Sequence, residues 1–305
     1  MKYLFQILAC VICVSGAVSA EDSPNWHLEG ANEGWKDEFL VLKYFHNSEL
    51  QRQWAWHLLS RYPFKGDEHI LDFGCGDGKI TAEVAHFVPQ GHILGVDLSP
   101  FMISFANRCF PSVHYPNVTF EQMTDVDFAD EDSGKKFDLI YSFCVFHLVP
   151  NPIQILDNLR MRLSPKGKLL LVVPAGNNPA FFQAANETFD KYKLPVPWSS
   201  KDRGTNTITM RTQEDCIHCL LTAGLEPLSV ITLHTPTAFF NKQELVEWMI
   251  GTVAANWQLP LEKADAFFND LVDRMAELDE AVIDKSGAYH MKLSRLEVIA
   301  KLPDN

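Results

Sequence analysis

The chain has 305 residues, 47% of them hydrophobic, which is enough to bury a large core and excludes an unfolded polypeptide. Its formal net charge of −13 would repel a phosphate backbone, and Lys and Arg nowhere gather into the basic stripe that nucleic-acid binders need. These features argue against DNA or RNA as a partner and for a small or neutral substrate.

Lys2 precedes an apolar stretch from Leu4 to Val14, and the small residues Val18-Ser19-Ala20 stand before Glu21-Asp22. This pattern predicts a secretory signal peptide over residues 1–20, cleaved after Ala20, and hence an exported protein. The alternative is an uncleaved N-terminal anchor, although the stretch is short for a membrane span, and no other segment is suited to crossing a bilayer. Two cysteines, Cys10 and Cys13, fall in the leader. The other five, Cys75, Cys109, Cys144, Cys216 and Cys219, are scattered like the thiols of a reducing compartment rather than set out as a disulfide framework, which favours a cytoplasmic location instead.

From residue 69, short apolar runs alternate with helical patterns, the signal for a parallel sheet with helices on both faces. Strands are predicted at His69–Phe73, His92–Asp97, Val118–Gln122, Phe137–Phe143 and Lys168–Pro174. The helix after the first strand places Ile80, Val84, Phe87 and Val88 on one face. Another opens at Asn151-Pro152, an N-cap followed by proline, and carries Leu156, Leu159 and Leu163 inward. Residues 175–210 lose this rhythm and read as an irregular insertion that covers something. Regular structure resumes with a helix at Thr212–Ala223, a strand at Leu228–Leu233, two helical segments within 241–283 and a last strand at Leu293–Leu302.

The stretch "ILDFGCGDGKITAEVA", residues 70–85, joins strand to helix through Gly74, Gly76 and Gly78. Glycines at such a turn let the backbone approach a ligand closely. The spacing differs from the G-x-G-x-x-G of dinucleotide sites, and Asp72 leads it, an acid that would repel a pyrophosphate and suits a ligand with positive charge. Asp97 ends the next strand, where a carboxylate can accept hydrogen bonds from a ribose diol. S-adenosylmethionine meets both demands.

On these residues the chain resembles the class I S-adenosylmethionine-dependent methyltransferases. The resemblance implies an α/β fold, a Rossmann-like seven-stranded, mostly parallel sheet with helices on both faces. A helical cap is expected from 175–210 and 238–285, around a core of 65–174, 211–233 and 290–302. It implies that the loop Gly74, Cys75, Gly76 and Gly78 passes the methionine portion of the cofactor, that Asp97, with Leu98 beside it, holds the ribose, and that Thr124 or Asp125 recognises the adenine. The end of the fourth strand, "FDLIYSFCVFHLVPNP", adds Ser142 and Phe143 to the cofactor set, with Phe146 and His147 toward the acceptor. The Asn/Asp-Pro-Pro-aromatic motif of enzymes that methylate nucleic-acid amino groups does not occur there.

A closer resemblance, carried by "NSELQRQWAWHLL", "GVDLSPFMISFA", "NKQELVEWMIGTVAANW" and "LSRLEVIAKL", is to the branch that contains trans-aconitate and juvenile hormone acid methyltransferases. It implies a small carboxylic acid as substrate and a position for Gln51 near cofactor and acceptor. Leu148 stands where those relatives place Trp, so a reshaped acceptor pocket is expected.

A carboxylate is already ionised near neutrality and needs no general base. A phenol or amine acceptor would need one, and His147 would then serve. Arg203 or Arg211 could orient an acid through a bidentate guanidinium. The aromatics Phe181, Phe182, Phe189, Trp198, Phe239, Phe240, Trp248 and Trp257 form either a lipophilic pocket or simple core. Cys216 and Cys219, with His218 between them, share a helical apolar face with Leu220 and Ala223, and burial is expected there in place of a metal site. The contrasting class is an exported, non-catalytic binding module that keeps the fold.

Overall fold

The computed structural model describes residues 37–123, 136–149, 151–175, 178–197 and 212–304. The predicted leader, Thr124, Asp125, Trp198, Arg203 and Arg211 lie outside these residues.

Seven strands make one sheet: β1 (His69–Phe73), β2 (His92–Asp97), β3 (Val118–Gln122), β4 (Phe137–Phe143), β5 (Leu163–Ala175), β6 (Glu226–Phe239) and β7 (Tyr289–Lys301), in the order β3-β2-β1-β4-β5-β7-β6. Neighbours among the first five are parallel, and β7 runs antiparallel to both β5 and β6. The chain proceeds outward from β1 to β2 and β3, then crosses to the other side of β1 for β4. That reversal opens a crevice at the carboxyl ends of β1 and β4, the place where open α/β sheets receive ligands.

Helices α1 (Glu38–Asn47), α2 (Glu49–Leu59), α3 (Lys79–Ala85), α4 (Pro100–Cys109), α5 (Pro152–Arg162), α6 (Pro179–Tyr192), α7 (Gln213–Thr222), α8 (Lys242–Thr252) and α9 (Leu261–Leu278) flank the sheet. The central strands read as unbroken apolar runs because both of their faces are covered. Ile70, Leu71, Leu139, Ile140 and Tyr141 are fully buried. One face packs with α5 and α7 through Leu156, Leu159, Cys216, Cys219 and Leu220. The other packs with α2, α3 and α4 through Trp54, Leu58, Val84 and Ile103.

Four expectations are corrected. Residues 175–210 are not irregular throughout: α6 forms there, with Asn178 accepting the Phe181 N–H at 3.2 Å and Pro179 in the first turn. The strand β6 runs on to Phe239, because it pairs with β7 along its whole length, Phe239 standing opposite Tyr289. β5 begins at Leu163, opposite Phe137. Phe87 is exposed rather than turned inward, its ring lying against Trp56 and Phe64.

The aromatics divide. Phe189, Phe239, Phe267 and Phe268 are buried in a cluster shared by α6, α8 and α9, with Phe181, Trp248 and Trp257 packed on it. Phe240 is 89% exposed. Cys216 and Cys219 are buried free thiols, and no group able to hold a metal occurs among the described residues. No described helix is long and apolar enough to cross a membrane.

The cluster of α6, α8 and α9 reaches the crevice through α1. Lys43 of α1 pairs with Glu247 of α8 at 2.6 Å, and the α-carbon of Gly251 packs so closely that a side chain there would stand 2.8 Å from Asn47. This docking sets α1 and α2 over the tip of β1.

Candidate cofactor and acceptor site

The glycine loop turns on three left-handed backbone positions, Gly74 (φ 80°), Gly76 (φ 55°) and Gly78 (φ 76°). They have different jobs. A Cβ at Gly74 would stand 2.3 Å from Val145, and one at Gly78 would stand 2.8 Å from Ala106 and Phe120, so both glycines admit neighbouring protein. At Gly76 the nearest atom would be the Tyr44 ring at 3.8 Å, which leaves that backbone open to approach.

Two acids frame the loop. Asp97, half-buried at the end of β2, accepts the Gly76 N–H at 3.0 Å and the Ser99 N–H at 2.9 Å, one on each oxygen. A carboxylate has about four acceptor positions, so two remain for a diol. Burial raises its pKa, and the two backbone donors oppose that rise. Asp72 is buried inside β1 and accepts the Thr81 hydroxyl at 2.6 Å. The Tyr141 hydroxyl faces it without closing a hydrogen bond of ordinary geometry. Burial pushes the Asp72 carboxyl up to about 7.

A cleft opens at the switch point. Asp72, Gly74, Cys75 and Phe143 line it from the strand tips, Tyr44, Ser48, Gln51 and Arg52 from α1 and α2, and Asp77, Lys79 and Ile80 from the start of α3. Lys79 ties these parts together: its ammonium donates to the Phe45 carbonyl and, at 3.0 Å, to the Ser48 hydroxyl, and it sits 4.4 Å from the centre of the Phe45 ring. Asp77 accepts the Lys79 N–H at 3.0 Å. Burial, and then the Asp77 charge, raise the Tyr44 phenol well above its ordinary range. The buried Gln51 Oε1 has no hydrogen-bond partner among the described residues.

The sequence singled out several residues that the fold turns elsewhere. Ser142 is fully buried and donates its hydroxyl to the Phe73 carbonyl at 2.7 Å. Phe146, expected in the acceptor wall, is 1% exposed and packs on Phe73, with 6.1 Å between ring centres. It belongs to the core on the α5 side, opposite the face that carries α2. Leu98 is half-buried, and its carbonyl accepts Gln122 Nε2 at 3.1 Å. His147 is half-buried in the turn after β4 and does not line the cleft, and Leu148 is exposed. Phe143 and Gln51 do line it.

The residues fit a nucleoside cofactor with a cationic centre. The backbone at Gly76 is open, Gln51 carries a buried polar atom with no partner among the described residues, and the acids Asp72 and Asp97 stand near the ends of successive strands. Asp97 would hold the ribose, and Asp72, Tyr44, Ser48 and Gln51 lie where the remainder would pass.

Sequence reasoning missed Tyr44, Ser48 and Lys79. Lys79 stood inside the motif that was read, but its reach back to α1 follows only from the docking of α1. It also missed a buried ionic cluster on β7. There Arg295, 5% exposed, donates through Nε to Glu297 Oε1 at 2.9 Å, and Glu297, 1% exposed, also binds His57 and Arg61. Two charged residues in an otherwise apolar strand, "SRLEVIA", were the available signal.

A model of the family described as "Methyltransferase domain" matches residues 64–224. The chain is 30% identical over 252 residues to a trans-aconitate 2-methyltransferase of Methylobacterium nodulans, covering 81% of this chain and 92% of that one. It is 29% identical over 214 residues to a trans-aconitate 2-methyltransferase of Deinococcus radiodurans, covering 70% of this chain and 79% of the relative. Among solved structures, the YcgJ protein of Bacillus subtilis shares the fold with a TM-score of 0.55 at 14% identity, over 83% of this chain and 100% of that one.

Proposed function

Since this chain belongs to the methyltransferase-domain family as a class I S-adenosylmethionine-dependent enzyme, we propose that it forms a methyl ester on a small carboxylic acid. The observation that carries this reading is the match along most of both chains to an enzyme named for methylating trans-aconitate.

Bound S-adenosylmethionine supplies a methyl group on a sulfonium, ready for in-line displacement. The protein's part is to hold an acceptor oxygen in line with it and to keep water out. A carboxylate, with a pKa of about 4, presents that oxygen already ionised. The cleft suits this task. Phe143 gives it an apolar wall, stacked on Tyr141 with 4.9 Å between ring centres. Gln51 gives it an amide whose oxygen lacks a partner among the described residues, and the amide can turn its NH2 toward an acceptor carboxylate.

The test is transfer of labelled methyl from S-adenosylmethionine to a panel of acids that includes trans-aconitate, with phenols and amines as controls. Product whose label is released by mild base supports the ester. Label that stays on through base, or that enters only the phenols or amines, contradicts it.

A further inference from the structure

A buried guanidinium on β7, that of Arg295, shares its one acidic partner, Glu297, with a second guanidinium. On the proposed carboxyl methylation rests the next step: we propose that Arg295 is the specificity-determining anchor for the acceptor's carboxylate, held in place by Glu297, Arg61 and His57.

The position follows from the sheet. Arg295 lies opposite Pro174, next to the carboxyl end of β5, and so at the crevice edge of the sheet. Its guanidinium stacks over the indole of Trp54, 5.4 Å from the ring centre. Trp54 is one turn along α2 from Gln51, which lines the cleft together with Phe143. The charge of Arg295 is also felt at Cys144, the residue that follows Phe143 at the end of β4. Arg295 thus meets Trp54 and Cys144, which neighbour the cleft-lining Gln51 and Phe143 along α2 and β4.

The charge balance leaves the guanidinium available. Glu297 Oε1 receives Arg295 Nε at 2.9 Å, Arg295 Nη2 at 2.8 Å and His57 Nδ1 at 2.7 Å, and Oε2 receives Arg61. Arg295 Nη1 donates to the Thr235 hydroxyl. One carboxylate thus faces two guanidiniums, Arg295 with 6% of its side chain exposed and Arg61 with 42%, so Arg295 shares its acid and is the buried one of the pair. Of the five N–H donors of a guanidinium, three are engaged in these contacts, and one on each Nη finds no partner among the described residues. A planar pair of donors, already desolvated and fixed by an acid on one side and an indole on the other, matches the geometry of a carboxylate.

The experiment uses the full chain and trans-aconitate as the probe. The variants are Arg295→Gln, Arg295→Lys and the double variant Arg295→Gln/Glu297→Gln, which removes both charges so that no buried acid is stranded. Thermal midpoint, cofactor dissociation constant, KM and kcat are measured for each. The expected result is a KM for the acid raised by about 30-fold or more in the Gln variants, with cofactor affinity within about twofold of the parent and the Lys variant in between. An unchanged KM in any Gln variant that folds and binds cofactor overturns the assignment.

If the parent enzyme transfers no methyl to any acid, carboxyl methylation fails, and Arg295 is judged by binding alone. Calorimetric titration of trans-aconitate into protein loaded with S-adenosylhomocysteine then decides. Binding that the Arg295→Gln change abolishes supports the anchor; no binding to the parent, or equal binding to both proteins, overturns it.

Discussion

The Gly76 backbone N–H donates to the Asp97 carboxylate at 3.0 Å, so the end of β2 fixes the shape of the turn at the end of β1. The same carboxylate that is suited to a ribose thereby holds the glycine loop in its left-handed conformation before any ligand arrives. Cofactor binding and loop geometry are coupled through one side chain.

This coupling separates two glycine substitutions. Gly76→Ala adds a methyl group in ordinary contact with the Tyr44 ring at 3.8 Å, at a left-handed position that costs about 1–2 kcal/mol for a residue with a Cβ. A modest drop in thermal midpoint is expected, with cofactor affinity weakened by about tenfold or more because the methyl occupies the ligand's approach. Gly74→Ala drives its methyl to 2.3 Å from Val145 and is expected to reduce the fold's stability by about 3 kcal/mol or more. Thermal melts and cofactor titrations of the two variants check this contrast.

Asp72 gives a pH dependence of defined sign. Its carboxyl is raised from 3.8 to about 7, so across that window the folded protein keeps a proton that the unfolded chain has lost. Stability is therefore expected to fall as pH rises from about 4 to about 7, with a shallower slope in Asp72→Asn. A cationic cofactor favours the ionised carboxylate, so its binding at pH 6.5 is expected to release a proton. Calorimetry in two buffers of different ionisation enthalpy measures the release, and Asp72→Asn should abolish it.

Much of this architecture was legible in the sequence. The four strands β1 to β4 lie on their expected residues because each is a short stretch rich in apolar and β-branched residues and bounded by turn residues, and it is that length and punctuation that mark a buried strand. The acids Asp72 and Asp97 declared themselves by standing at strand ends. The length of β6 did not, because its pairing depends on β7, some fifty residues later in the chain, while its own sequence includes Pro227 and Pro236. Proline is tolerated on an edge strand, and β6 is one. The helix α6 carried the same Asn-Pro opening as α5, Asn178-Pro179 beside Asn151-Pro152, and was hidden by the prolines and glycines around it. Ser142 and Phe146 were assigned to the ligand from their place after β4, but which face each one takes is decided by packing against Phe73. The cluster at Arg295 joins α2 to β7 across more than two hundred residues, beyond the reach of any local pattern.

Cys144 combines a left-handed backbone, φ 58°, with a thiol that burial pushes up to about 12. Alkylation by iodoacetamide at pH 8 is expected to be slower than for a free thiol by on the order of a thousandfold, since the thiolate is the reactive form. Cys144→Gly should relieve about 1–3 kcal/mol of backbone strain, less the loss from the smaller side chain. Mass-resolved labelling of the folded protein measures the first effect and denaturant unfolding the second.

The cluster of α6, α8 and α9 should bear on stability more than on cofactor affinity. Phe267 is fully buried there, 4.8 Å from Phe189 and 5.5 Å from Phe268 between ring centres. Phe267→Ala is expected to cost about 3–5 kcal/mol. Cofactor affinity at a temperature where the variant is folded should stay within about twofold of the parent, checked by unfolding and calorimetry on the same preparation.

The central claim is that the carboxylate of Asp97 receives the ribose of S-adenosylmethionine. Calorimetric titration of the cofactor into the parent protein and into Asp97→Asn, both verified as folded, tests it most directly. A dissociation constant raised by about tenfold or more is expected in the variant, corresponding to the loss of at least about 1.4 kcal/mol. An unchanged dissociation constant in the folded variant would contradict the claim.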